Sequence, residues 1–145
     1  MLGRFALRII GFRSRMLPGG IHVMERFARP ARGTQPAQSG GDGAGGGVRV
    51  AVSRDLLFIH GIGADVASWL SIAPYLGRRH TLRLLDLPGH GDSDDLDADI
   101  ESLATTIVTA VDTLPPSILI GNSLGGAISL LLAVRLPQKV RACSC

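Results

Sequence analysis

Aromatic residues are scarce in this chain, at 4% of 145 residues with one tryptophan and one tyrosine. Any core must rest on Leu, Ile, Val and Ala, and an apolar content of 46% is ordinary for a globular domain that buries one. Cysteine is scarcer still. Cys143 and Cys145 form a C-x-C pair that lacks the second ligand pair of a zinc site, so neither a structural metal nor a disulfide framework is expected. No acid precedes Glu25. Residues 1–47 hold seven arginines against Glu25 and Asp42, a balance of +5, whereas residues 48–145 hold eight bases against ten acids, a balance of −2. The overall charge of +3 is thus a property of the N-terminal arm. The remainder lacks the basic, aromatic-studded surface of a nucleic-acid binder. A clean membrane span is missing too. The uncharged run 113–134 is interrupted by Pro115, Pro116, Gly121, Asn122, Gly125 and Gly126, which suits a buried strand followed by a buried helix.

What is present falls into three zones. Over residues 1–20, Leu2, Phe5, Ile9, Phe12 and Met16 share one helical face, while Arg4, Arg8 and Arg15 cluster on another. This predicts a basic amphipathic helix. It can serve as a membrane-surface anchor or targeting sequence, or simply pack on the domain; the last is preferred because nothing else here is membrane-like. Arg8, Arg13 and Arg15 break up any secretory h-region, and a cytoplasmic location is expected. Residues 21–54 read as edge strands, Ile21 to Phe27 and Val48 to Val52, around a Gly/Pro-rich linker at 28–47. The two strands can pair as a hairpin with the linker as its loop.

From residue 55 onward, strands and helices alternate. Leu56-Leu57-Phe58-Ile59 is a strand buried on both faces. Val66, Trp69, Leu70, Ala73 and Leu76 follow at helical spacing, with Asp65 as N-cap and Gly77 as stop. Thr81 to Leu87 is a strand, Ile100 to Leu114 a helix with Asp97, Asp99 and Glu101 at its start, and Ile118 to Ile120 a strand. Leu124 to Leu136 is a helix, apolar nearly all round and so expected to be buried, ending before Pro137. The fold class is α/β, a mostly parallel sheet with helices on both faces.

Three loops follow these strands, all at the carboxyl edge where open α/β sheets place their sites. They read His60-Gly61-Ile62-Gly63, Asp86-Leu87-Pro88-Gly89-His90-Gly91-Asp92-Ser93 and Gly121-Asn122-Ser123-Leu124-Gly125-Gly126. In this order and spacing the chain resembles the α/β-hydrolase superfamily over about residues 55–141. The glycine-framed Ser123 looks like that family's nucleophile elbow, a strained turn from strand to helix. The resemblance implies that Ser123 is the nucleophile and that the backbone N–H groups of Ile62 and Leu124 form the oxyanion hole. His60, Gly61, Gly121, Gly125 and Gly126 would support the loops. The substrate implied is a small ester or other acyl compound, with no cofactor.

In this family the triad runs Ser, then Asp or Glu, then His. His60, His90, Asp86 and Asp92 all precede Ser123, which leaves them bracing or shaping loops. No acid or histidine follows Ser123. The family's eight strands, in order 1-2-4-3-5-6-7-8, are supplied here to about the fifth, with Val140-Arg141-Ala142 as the start of the next. The expectation is a truncated serine hydrolase with little or no turnover and an open sheet edge at strand five, prone to association. Two other readings stand beside it. Asn122 resembles the elbow of meta-cleavage-product hydrolases, which cut carbon–carbon bonds; and the chain can be a non-catalytic, hydrolase-like domain.

Overall fold

A computed structural model describes residues 2–28, 53–95 and 99–145. The chain opens with α1 (Leu2–Ile9), β1 (Arg13–Leu17) and β2 (Ile21–Arg26). Then come β3 (Asp55–Ile59), a 3₁₀ turn at Val66–Trp69, α2 (Ala73–Leu76), β4 (Thr81–Leu85), α3 (Ile100–Asp112), β5 (Ser117–Gly121), α4 (Leu124–Arg135) and β6 (Val140–Ser144). The strands form one sheet in the order β1-β2-β4-β3-β5-β6. β1 and β2 pair antiparallel, as do β2 and β4, and the remaining pairs are parallel. β4 lies on one side of β3, while β5 and β6 lie on the other. Right-handed crossovers therefore send α2 to one face and α3 and α4 to the opposite face.

Alternation along β3 shows both faces filled. Leu57 and Ile59 pack with Ile107, Val111, Ile128 and Leu132 from α3 and α4. Leu56 and Phe58 pack with Leu7, Phe12, Val66 and Ala73 on the other face. Phe58 is fully buried and its ring stands 5.1 Å from that of Trp69, tilted by 57°. The register pairs Ile59 with Leu85 and with Gly121, so β3, β4 and β5 end level and their three loops leave from one edge.

Several elements differ from the sequence reading. The N-terminal helix covers Leu2–Ile9 rather than residues 1–20. Gly11, at φ 92°, ends it in the left-handed conformation that a glycine adopts without strain. The next residues become β1, paired with β2 through Arg13↔Glu25 to Leu17↔Ile21. The expected apolar face holds only in part: Phe12 is buried, but Phe5, Ile9 and Met16 face outward and Leu7 is buried instead. Ile21 to Arg26 does form a strand, but it lies between β1 and β4 rather than at an edge and its hairpin partner is β1; Val48 to Val52 lies outside the described residues. The helix expected between Val66 and Leu76 is split in two. Pro74 has no N–H and its ring crowds the carbonyl one turn earlier, so the 3₁₀ turn cannot run on into α2. α4 buries Ile128, Ser129 and Leu132, yet Leu130 and Val134 are exposed among the described residues, so it is not buried all round.

Among the described residues six strands form, one beyond the fifth expected, and the run begun at Val140 is the sixth. β6 pairs with β5 from Ser117↔Val140 to Ile120↔Ser144, so strand five is covered and the sheet edge is β6. Charge is also buried between strands. Arg83 of β4 donates to Glu25 of β2 at 2.8 Å, and Arg15 of β1 donates to the same carboxylate at 2.8 and 3.0 Å. Burial pushes the Glu25 carboxyl up, but the two guanidinium groups outweigh it and hold the pKa below its ordinary value. No helix among the described residues is long and apolar enough to cross a membrane.

Because Phe58 is packed on all sides at the centre of the sheet, Phe58→Ala should cost about 3–5 kcal/mol of stability. Urea titration should show the midpoint falling with little change in slope.

Candidate active site

The turn from β5 into α4 is built around close backbone approach. A Cβ at Gly125 would fall on the carbonyl of Ile59 in β3, and one at Gly121 would fall on the backbone of Gly125. Without side chains at these two positions, α4 sits directly over the ends of β3 and β5. The Asn122 N–H donates to the Ile59 carbonyl at 3.1 Å, and the Gly125 N–H closes the turn on the Asn122 carbonyl at 2.9 Å. Ser123 is left at φ 53°, ψ −117°, the sole non-glycine residue with positive φ among those described. Such backbone costs about 1–3 kcal/mol and persists where its surroundings over-determine it. The side chain makes no capping bond to α4 and is exposed at the carboxyl edge of the sheet.

The first loop comes to meet it. A Cβ at Gly61 would approach the Ser123 Cβ to 3.2 Å and the Asn122 carbonyl oxygen to 3.3 Å. Ile62 follows, with its side chain 76% exposed. Among the described residues, neither the Ile62 nor the Leu124 N–H donates to a backbone acceptor. Leu124 is the first residue of α4, whose leading N–H groups have no partner within the helix and lie at its positive end. Gly126 packs toward β6, where a Cβ would lie 3.3 Å from that of Cys145.

His60 is fully buried and braces two loops at once. Its Nδ1–H donates to the Gly61 carbonyl at 2.7 Å, and its Nε2 accepts the Leu87 N–H at 3.0 Å. Burial pushes its pKa below the ordinary value, against the Gly61 carbonyl and Asp86, which favour the proton. His90 does more than shape its own loop. Its Nδ1–H donates to the Pro88 carbonyl at 2.9 Å, while its Nε2 accepts the Gly63 N–H at 3.1 Å. Asp86 likewise reaches beyond its own loop. Its carboxylate accepts from the Val66 N–H and the His22 Nδ1–H, each at 2.8 Å, and from the Asp92 N–H at 3.2 Å. The fourth histidine, His80, accepts the Arg54 N–H at 3.3 Å. Thus all four histidines bond to groups other than Ser123.

One participant was not legible as a site residue. His22, in the buried strand β2, bonds to an aspartate 64 positions away. Ser93 accepts the His22 N–H at 2.8 Å and donates to the Asp86 carbonyl at 2.7 Å. Ser93 was quoted with its loop, but nothing near His22 in sequence points to Asp86 or Ser93, since these partners meet it only when β2 joins β4. A shallow cleft of about 710 Å³ lies between Gly63–Asp65 and Gly89–Gly91. Ser123 does not line it. The Cys143 thiol is pushed up to about 11 by desolvation and by its bond with Cys145. Among the described residues, no three His, Cys, Asp or Glu side chains gather as metal ligands.

A sequence profile of the alpha/beta hydrolase fold matches residues 56–145, which takes in all three loops. The chain belongs to the α/β-hydrolase family. It is 38% identical over 93 residues to the dihydrolipoyllysine-residue acetyltransferase component of an acetoin cleaving system from Pseudomonas putida, covering 61% of this chain and 25% of that protein. It is also 38% identical over 90 residues to a pimeloyl-[acyl-carrier protein] methyl ester esterase from Neisseria meningitidis, covering 61% of this chain and 34% of that one. The α/β-hydrolase chain therefore spans a quarter to a third of these curated relatives. Its fold matches a haloalkane dehalogenase from Agrobacterium tumefaciens C58 with a TM-score of 0.67 at 23% identity, over 92% of this chain and 40% of that chain.

The His60 ring ties stability to pH. An unfolded histidine takes up a proton below about pH 6.5, but the buried one resists it, so stability should fall as pH drops below that value. In His60→Gln the linkage is gone. Its deficit in melting temperature relative to the parent should narrow between about pH 7.5 and pH 5.5, as thermal unfolding by circular dichroism will show.

Proposed function

We propose that this chain carries the nucleophile and the oxyanion donors of a serine hydrolase acting on carboxylic esters. The observation that carries the reading is the strained Ser123 backbone, held over the ends of β3 and β5 by glycine-permitted contact. In the proposed reaction the Ser123 Oγ attacks the acyl carbon. The carbonyl oxygen becomes an oxyanion, received by the N–H groups of Ile62 and Leu124. A preorganised donor of this sort is worth about 3–4 kcal/mol of barrier. His60, Gly61, Gly121, Gly125 and Gly126 act by positioning, through the contacts described above.

An ester is favoured because one relative is a methyl ester esterase. The carbon–carbon bond reading has less behind it. Asn122, its motive, uses its N–H and carbonyl to hold the turn, and nothing in that contact selects a carbon–carbon bond. The proton of Ser123 needs a base, and the four histidines here are engaged elsewhere. Turnover by this chain alone therefore rests on the oxyanion donors, and is limited to roughly 10³–10⁴ over the uncatalysed rate.

A fluorophosphonate probe with peptide mapping tests the proposal. Ser123 should be modified faster than the exposed Ser71, and Ser123→Ala should abolish that modification while leaving the fold intact. An unmodified Ser123 in folded protein would overturn the reading.

A further inference from the structure

The hydrogen bonds around Asp86 continue outward to a second serine. Asp86 is fully buried and accepts the N–H groups of Val66 and Asp92, so its carboxylate faces donors. The His22 ring, 2% exposed, presents Nδ1 to Asp86 Oδ2 at 2.8 Å. A carboxylate can only accept, so Nδ1 carries the proton, and Nε2 of the neutral ring is left as an acceptor. Nε2 lies 2.7 Å from the Oγ of Ser14. Ser14 itself is exposed, on the outermost strand of the sheet. The arrangement is a hydroxyl in solvent, an imidazole beneath it and a buried carboxylate fixing the tautomer. Those are the roles and reach that define an activated serine, whatever the order of the residues in the chain.

The geometry points to Ser14 as a second nucleophilic serine, with His22 as its general base and Asp86 as the group that orients the base, open to small activated acyl or phosphonyl electrophiles. Its parts come from β1, β2 and the loop after β4, none of which supplies Ser123 or its donors. In the step proposed, the Ser14 Oγ forms a bond to the acyl carbon or phosphorus as its proton passes to His22 Nε2. The aryl oxide or fluoride departs with the bonding pair, and His22 returns its proton to the leaving group or to solvent. Asp92 Oδ2 stands 3.9 Å from Nε2 and favours the imidazolium formed in the step. Arg15, a neighbour in sequence, is committed to Glu25 and does not compete for the hydroxyl.

The test uses the full chain carrying Ser123→Ala, so that the first nucleophile cannot contribute. The protein is treated with a fluorophosphonate and the modified serines are mapped by mass spectrometry. Ser14 should react roughly 10²–10⁴-fold faster than Ser71, the range that a positioned general base supplies. Ser14→Ala should remove the fast phase, and His22→Gln should slow Ser14 to the rate of Ser71. Equal rates at Ser14 and Ser71 would overturn the proposal, as would a folded His22→Gln protein that still labels fast at Ser14. If His22→Gln does not fold, the Ser14 to Ser71 ratio in the Ser123→Ala protein decides alone.

Discussion

Everything at the carboxyl edge of this sheet depends on one steric allowance. The backbone of α4 rests on the carbonyl of Ile59 because Gly125 has no side chain, and the end of β5 clears the start of α4 because Gly121 has none. A methyl group at either place would lift the helix off the sheet. With the helix seated, the Asn122 N–H reaches Ile59, and Ser123 has no relaxed conformation left to adopt. Its positive φ follows from the packing on both sides. The strain is sustained by burial in the sheet and by the helix core at Ile128 and Leu132, each such side chain contributing on the order of 2 kcal/mol.

Around that turn, neutral histidines act as struts. His60 spans the first and second loops, and His90 ties the second loop back to Gly63 of the first. Each uses one ring nitrogen as donor and the other as acceptor, which only the uncharged ring can do. Asp86 complements them by collecting donors from the 3₁₀ turn, its own loop and β2. A buried carboxylate so surrounded is satisfied where an isolated one would be costly. The loops that approach Ser123 are held by this network as well as by packing.

Much of this was readable in the chain. Strands β3 and β5 carry continuous apolar runs and α3 an apolar stripe that packs on the sheet, and there local pattern agrees with tertiary role. The Asp65 cap forms as the spacing predicts, its side chain accepting the Ala67 N–H at 2.8 Å, and Asp99, read only as an acid at the helix start, also caps α3 through the Ser102 N–H at 2.8 Å. Of the outer strands, β2 and the start of β6 at Val140 were readable, but β1 was not. Arg13–Leu17 is polar and follows a helix, and it becomes a strand because β2 offers an edge and Arg15 finds Glu25 there. β6 forms against β5 although most of its side chains are exposed. The roles of His60 and His90 as braces were partly legible from their loops. His22 was not, since nothing near it in sequence announces Asp86.

The most direct measurement is a crystal structure of the protein after reaction with a small phosphonofluoridate. Ser123 should keep a positive φ and bear the adduct, with a phosphonyl oxygen about 2.7–3.1 Å from both the Ile62 and Leu124 nitrogens. A Ser123 relaxed into ordinary helical or extended backbone, or an adduct whose oxygen points away from both N–H groups, would contradict the elbow as the seat of the chemistry.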